Sequence, residues 1–325
     1  MSVVLELSAL STDQCRFISE EAVPSEIWRN LLKDYSGLTH LQCVVGTNAS
    51  FYTQPSKHAI HVRSLELQFE TPSDLASAVE HVCMHMRANL DTLRLSVLQP
   101  LSSDNRLLYS EALRGAVREV LSERKPAQPN QSTEPMLYNL KELTLQHFNI
   151  SSLYDTVTVL SGLRSILRLT LSSCDGMVDF LSDIEKHIGG GSLRLTHFGL
   201  QSDDEELEWS DDVLAAAGSC LRNLLASPKL ESVHLSWTDE SPLWNVLSGT
   251  PVKAPNLMTL GIHDGSHASI GESANSAGRL RNILTDCHQL QALGWQISNE
   301  DIIHAGNVEQ LMDKAFMVSV EFATM

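Results

Sequence analysis

The sequence predicts an irregular α/β solenoid, with a parallel sheet on its concave side and helices on its convex side. Three observations predict it. A hexamer L-x-x-L-x-L, where L is any large apolar residue, recurs ten times along the 325 residues. Its copies start at residues 38, 62, 90, 140, 166, 195, 230, 257, 290 and 317, mostly 24–35 residues apart with one step of 50. Most of the segments between carry apolar residues at helical spacing. One hexamer carries almost no information. Ten at a loosely constant period mark stacked units, none of which buries its apolar face alone.

The elements follow in order. Leu5 and Leu7 make a partial copy ahead of the first full one, Leu38, Leu41 and Cys43. Val62, Leu65 and Leu67 come next, then a helix on Leu75, Val79, Val82, Cys83 and Met86. Leu90, Leu93 and Leu95 are followed by a helix on Leu113, Val117, Val120 and Leu121. Residues 122–136 then lack periodicity and hold three prolines, which reads as a surface loop or a disordered insertion, and the step of 50 is two units or one unit with an insertion. Leu140, Leu143 and Leu145 resume the pattern, then Ile166, Leu169 and Leu171, with a helix on Met177, Leu181, Ile184 and Ile188. Leu195, Phe198 and Leu200 precede a helix on Leu214, Ala217, Leu221, Leu224 and Leu225. Leu230, Val233 and Leu235, then Leu257, Leu260 and Ile262, lead to a Gly/Ser/Ala-rich loop at 264–278. A helix on Leu280, Ile283, Leu284 and Cys287, the copy Leu290, Leu293 and Trp295, a helix on Val308, Leu311, Met312 and Ala315, and a weak copy at Met317, Val320 and Phe322 close the chain.

In each hexamer the last two apolar positions are two apart and share one strand face. Stacking buries that face continuously. The spacing lies near the roughly 20–29 residues of leucine-rich repeats and runs somewhat longer. The chain is therefore read as one leucine-rich-repeat solenoid over 1–325, with clear repeats over 38–322 and the loops 122–136 and 264–278 as insertions.

Composition bounds the function. With 42% apolar and 19% charged residues, there is enough to build a large core. No apolar run approaches the roughly 20 residues needed to span a bilayer, and Met1–Leu7 lacks the basic start of a signal peptide. The expectation is a cytoplasmic or nuclear protein with no membrane partner. Lys plus Arg is 23 against 40 for Asp plus Glu, a net of −17, which opposes binding to a phosphate backbone. Asp203, Asp204, Glu205, Glu206, Glu208, Asp211 and Asp212 concentrate the acid. That run reads as a solvated loop or as a docking face for a basic partner. The six cysteines, Cys15, Cys43, Cys83, Cys174, Cys220 and Cys287, sit mostly among apolar neighbours and read as buried, reduced thiols. The sequons at Asn48, Asn130 and Asn149 carry no weight without a secretory signal.

Several segments carry a family likeness: His61–Leu67, Leu140–Leu145, Leu167–Gly176, Leu193–Phe198 and Leu230–Ser236. Through them the chain resembles the leucine-rich-repeat region of fungal F-box-type proteins, over roughly 38–322. The resemblance implies the substrate-binding part of a ubiquitin-ligase subunit, with a Skp-type adaptor and a cullin as further partners. It also implies an N-terminal three-helix F-box opening with L-P-x-E. The nearest match is Val23-Pro24-Ser25-Glu26, running on to Leu32. Read from the residues alone, this is a helix with Pro24 in its first turn, feeding the strand at Leu41. Only 30 residues separate Leu32 from Val62, so the F-box is expected to be absent or degenerate. The strand-like opening at Ser2–Leu5 further reads as an array without its usual N-terminal cap, and a truncated, non-functional product is one alternative. A scaffold unrelated to ubiquitin is another.

Catalytic patterns are weak. His81 and His85 stand four apart on one helix, but no further ligand pair is evident, and the plainer reading is helix-surface histidines beside a buried Cys83. Gly189-Gly190-Gly191-Ser192 follows a helix and precedes a strand, the reverse of a P-loop. Gly271-Glu272-Ser273-Ala274-Asn275 misses the last glycine of a nucleophile elbow. No enzyme activity, cofactor or metal is expected.

The informative surface is the sheet face. Residues between the last two apolar positions, and just after them, point away from the core. They give a candidate concave binding surface of Glu66, Gln68, Arg94, Thr144, Gln146, Thr170, Ser172, Gln201, His234, Ser236, His263 and Gln296, with Trp237 one step further on. The stripe is polar, and only Glu66 and Arg94 are ionised. Such a surface suits hydrogen bonding to a protein or a small ligand better than contact with a polyanion, and a sheet face that is merely solvated would be polar too.

Overall fold

The computed structural model describes residues 15–22, 38–45, 62–98, 102–123, 135–163, 165–188, 193–201, 210–237, 254, 256–264, 289, 292–296 and 319–320. The chain divides into two units, Met1–Ile166 and Leu167–Met325. Each is α/β, and its described strands are all parallel.

The first unit contains β1 (Cys15–Ala22), β2 (Leu38–Val45), β3 (Ser64–Phe69), α1 (Pro72–His85), β4 (Thr92–Val97), α2 (Ser103–Glu123), β5 (Glu142–Gln146) and α3 (Tyr154–Ser161). Its strands pair in chain order, with Leu41, Leu65, Leu93 and Leu143 in one lateral row. Helix α1 starts sharply because Thr71 caps it. Its Oγ1 accepts from the Asp74 N–H at 3.3 Å and donates to Asp74 Oδ2 at 2.6 Å, with Pro72 in the first turn. Leu75, Val79, Val82, Cys83 and Met86 are all buried, as the helical spacing requires. Helix α1 packs against α2, whose Leu113, Val117 and Val120 are buried too.

Two elements here escape the apolar count. Strand β1 pairs with β2 through Cys15↔Leu38 and Phe17↔Leu41 but carries no hexamer. Helix α3 is only 8 residues long, and its inward face is Thr156, Val157, Leu160 and Ser161. The loop drawn at 122–136 is too wide at both ends. Helix α2 runs through Glu123, and Met136 is fully buried. The reason is backbone satisfaction. The last carbonyls of α3 need donors, and the returning chain supplies them: Met136 N–H to Val159 O at 2.9 Å and Leu137 N–H to Leu160 O at 2.8 Å. Gly162, at φ +59°, closes the helix by donating to Thr158 O at 2.8 Å, and Ser165 Oγ reaches Ser161 O at 3.3 Å.

The second unit contains β6 (Arg168–Ser172), α4 (Met177–Ile188), β7 (His197–Gln201), α5 (Asp211–Leu225), β8 (Ser232–Trp237), β9 (Thr259–Asp264), β10 (Ala292–Gln296) and β11 (Ser319–Val320). Leu169, Phe198, Val233, Leu260 and Leu293 share one row, and Val320 extends it. Helix α4 packs against α5, where Glu185 Oε1 accepts from Ser219 Oγ at 2.8 Å and Asn223 Nδ2 at 2.6 Å. The F-box-like segment 23–32, the glycines 189–191, the acids 203–208 and the apolar patterns at 280–287 and 308–315 lie outside the described residues, as does the loop 264–278 beyond Asp264.

The hexamer is a unit of packing and of hydrogen bonding. The first apolar positions Val62, Leu90, Leu140, Ile166, Leu195, Leu230 and Leu257 are each no more than 2% exposed. Each such burial stabilises by roughly 1.5–3 kcal/mol relative to exposure. Two residues before the second apolar position, one carbonyl accepts from two consecutive N–H groups of the next copy. Arg63, Asp91, Leu167, Thr196 and Glu231 all do this, at 2.7–3.0 Å. Just before the first apolar position a polar side chain reaches back one copy. Asn139 Nδ2 donates to Ala88 O, Lys229 Nζ to Leu193 O at 3.3 Å, and Asn256 Nδ2 to Pro228 O at 2.6 Å. These donors and acceptors occupy the same hexamer positions in both units.

Candidate functional site

Register assembles the polar stripe into lateral rows. In the first unit Gln42, Glu66, Arg94 and Thr144 form one row, and Val44, Gln68, Ser96 and Gln146 the next. In the second unit Thr170, Gly199, His234, Gly261 and Gly294 form one row, and Ser172, Gln201, Ser236, His263 and Gln296 the next. Neighbouring members of a row stand one strand spacing apart, about 4.8 Å. Strand alternation sets the hexamer leucines on one face and these positions on the other, where Val44, Ser96 and Ser172 are nonetheless buried.

The only two charges of the first-unit rows neutralise each other. Arg94 Nη1 lies 3.4 Å from Glu66 Oε1, and Arg94 Nη2 donates to Gln146 Oε1 at 3.0 Å. Gln146 Nε2 lies 3.3 Å from the His147 ring. His147 follows β5 at φ +62°, which turns the chain off the strand. Behind this face, burial and then the Glu66 charge push the Cys43 thiol far above its ordinary range. In the second unit, burial and then Glu185 push Cys220 up to about 12. Cys43, Cys83, Cys174 and Cys220 are all buried, which fits their reading as small apolar groups.

Glu66, Gln68, Arg94, Thr144, Gln146, Thr170 and Gln201 are partly exposed, and His234 is exposed. Ser172 is not a surface residue: it is 3% exposed. Its side chain is short, and the longer Gln201 stands beside it in the row. Ser96, at 2%, sits low in the same way between Gln68 and Gln146. Ser236, Trp237, His263 and Gln296 are placed as strand positions only. Trp237 pairs with Asp264, one residue out of step with the stripe, so its position belongs to the opposite parity. Gly199 sits close to its neighbour in the row: a Cβ there would stand 3.0 Å from the Thr170 side chain, which would have to give by a few tenths of an ångström.

Away from the sheet face, His81 corrects its sequence reading. It is not on the helix surface but 3% exposed, with its ring centroid 4.6 Å from that of His85. Leu75, Ala78, Val79 and Val82 of the same helix are buried with it. Burial, and then the neighbouring His85, lower its pKa to about 4. Among the described residues, no group of three or more His, Cys, Asp or Glu is arranged to hold a metal ion. Among the same residues, no helix is long and apolar enough to cross a membrane. Compared with protein-family profiles and with curated proteins, the chain matches neither a family nor a protein.

Proposed function

We propose that the chain is an irregular leucine-rich-repeat solenoid that recognises a protein partner through its outward sheet face and carries no catalytic activity of its own. One observation supports this reading above the others. The residues picked by hexamer position fall into register as continuous lateral rows, polar and internally neutralised at Glu66 and Arg94. Such rows are fixed by backbone hydrogen bonds, so little backbone freedom remains to be lost on binding. Their groups are mostly amides, hydroxyls and imidazoles, which match the hydrogen bonds of a protein surface. A −17 chain presenting them favours a neutral or basic partner over nucleic acid. The recognised protein is, on the F-box resemblance, a substrate of a ubiquitin ligase, with a Skp-type adaptor and a cullin as further partners.

The test is affinity purification of the tagged chain from its own host, with mass spectrometry of what co-purifies. A Skp-type adaptor and cullin in stoichiometric amount support the ligase reading. A reproducible partner without them leaves recognition standing and removes ubiquitin. Chaperones alone sink both.

A further inference from the structure

Arg114 lies on α2. Among the described residues no carboxylate pairs with it. Its Nη2 donates to the Ser152 hydroxyl, and its Nε is buried with no partner. Ser152 is exposed, in the turn between β5 and α3. Ser152-Leu153-Tyr154-Asp155 has the sequence of a capping box, but the fold does not use it as one. The N-cap is Leu153, and no side chain caps α3. The adjacent Ser151 is engaged elsewhere: its O–H and N–H both donate to Asn149 Oδ1, at 2.8 and 3.2 Å. The Asn149 N–H in turn donates to Ser110 Oγ at 3.1 Å, which pins the turn to α2. Of the two serines, Ser152 is the one whose hydroxyl meets a guanidinium.

We propose that Ser152 is a phosphorylation site and that Arg114 receives the phosphate. The co-reactants are a nucleoside triphosphate and a protein kinase directed to acidic sequence, for which Asp155 lies three residues on. Ser152 Oγ attacks the γ-phosphorus, and its proton passes to the kinase's base. The bond to the β–γ bridging oxygen breaks, and nucleoside diphosphate leaves. The product adds about 1.5–2 negative charges and three strong acceptors. Nε and Nη2 lie on one edge of the guanidinium and offer the parallel N–H pair of a bidentate phosphate contact. The positive end of the α3 dipole favours the added charge, and Asp155 in its first turn opposes it. The proposal is independent of which partner the sheet face binds.

The test compares the full chain with and without phosphoserine installed at position 152 during translation. Thermal unfolding is followed at low and high salt, with Arg114→Gln in both forms. The expected result is a midpoint raised by about 2–4 °C on phosphorylation, a smaller rise at high salt, and no rise with Arg114→Gln. A midpoint unmoved or lowered by the phosphate, or a rise that survives Arg114→Gln, overturns the proposal. A second measurement needs no variant that could misfold. The folded chain is incubated with adenosine triphosphate and an acid-directed kinase, and its phosphates are mapped by mass spectrometry. Label at Ser152 supports the proposal, and label confined to other residues overturns it.

Discussion

At His81 the fold holds an ionisable ring where charge is penalised. Its pKa drops from an ordinary 6.5 to about 4, so between those values the unfolded chain binds a proton that the folded chain refuses. Stability is then complete above pH 6.5 and falls as the pH drops through the window toward 4. At about 1.4 kcal/mol per unit, the loss is on the order of 3 kcal/mol. Urea titrations from pH 7 to 4 should show the midpoint falling, and His81→Gln should flatten that limb. A limb of unchanged slope in the variant would place its source elsewhere. Two glycines make a paired test of backbone geometry. Gly162 holds φ +59°, and a Cβ on it would stand 2.4 Å from Pro135 Cγ. Gly162→Ala should cost about 1–3 kcal/mol. Gly115 lies inside α2 with nothing within 4 Å of a built Cβ. Gly115→Ala should instead gain about 0.5–1 kcal/mol. Denaturant midpoints of the two variants that move in the same direction would refute the pair.

At the scale of the element, legibility followed the periodicity. Leu143 and Leu145 are two apart and both fully buried, and so are Leu169 and Leu171. A period of 2 leaves the strand no other way to face. Helix α1 was legible for the same reason at period 3.6. Helix α3 was not, because half its inward face is Thr156 and Ser161, which no apolar count registers. Strand β1 was missed because its sequence, CRFISEEA, breaks the alternation and its pairing with β2 is bulged. The back-reaching side chains were invisible for a different reason. Asn139, Lys229 and Asn256 share a hexamer position and a target, yet differ in chemistry, so no residue pattern marks them. Their shared geometry yields a prediction. Asn256→Ala should cost about 0.5–1.5 kcal/mol by leaving the Pro228 carbonyl without its donor. Leu235→Ala, which opens a cavity in the same unit, should cost about 2–5 kcal/mol. Equilibrium unfolding that ranked the two variants the other way would show the contact to be more than a local hydrogen bond.

At the scale of the molecule, recognition and stability should separate. The exposed members of the rows alternate along each strand with the residues that hold the fold, among them Leu65, Leu93 and Leu143. Thr144, partly exposed between Leu143 and Leu145, can be enlarged without entering the core. His234, exposed between Val233 and Leu235, occupies the matching place in the second unit. Thr144→Arg and His234→Arg should each leave the melting midpoint within about 2 °C of the parent, since surface changes away from packed features stay within roughly 0.5 kcal/mol. Either should reduce capture of the partner found by affinity purification at least tenfold if the partner covers that unit, because a long cation then stands in a flat neutral row. Loss from only one variant assigns the footprint to that unit, and loss from both extends it over both. Two variants that unfold normally and capture the partner as well as the parent does would remove the sheet face from the interaction. The remaining charge, −17 in all, would then have to be tested on the helices and loops. The prediction rests on register, the one property that turns scattered polar residues into rows within each unit, so it fails or stands with the rows themselves.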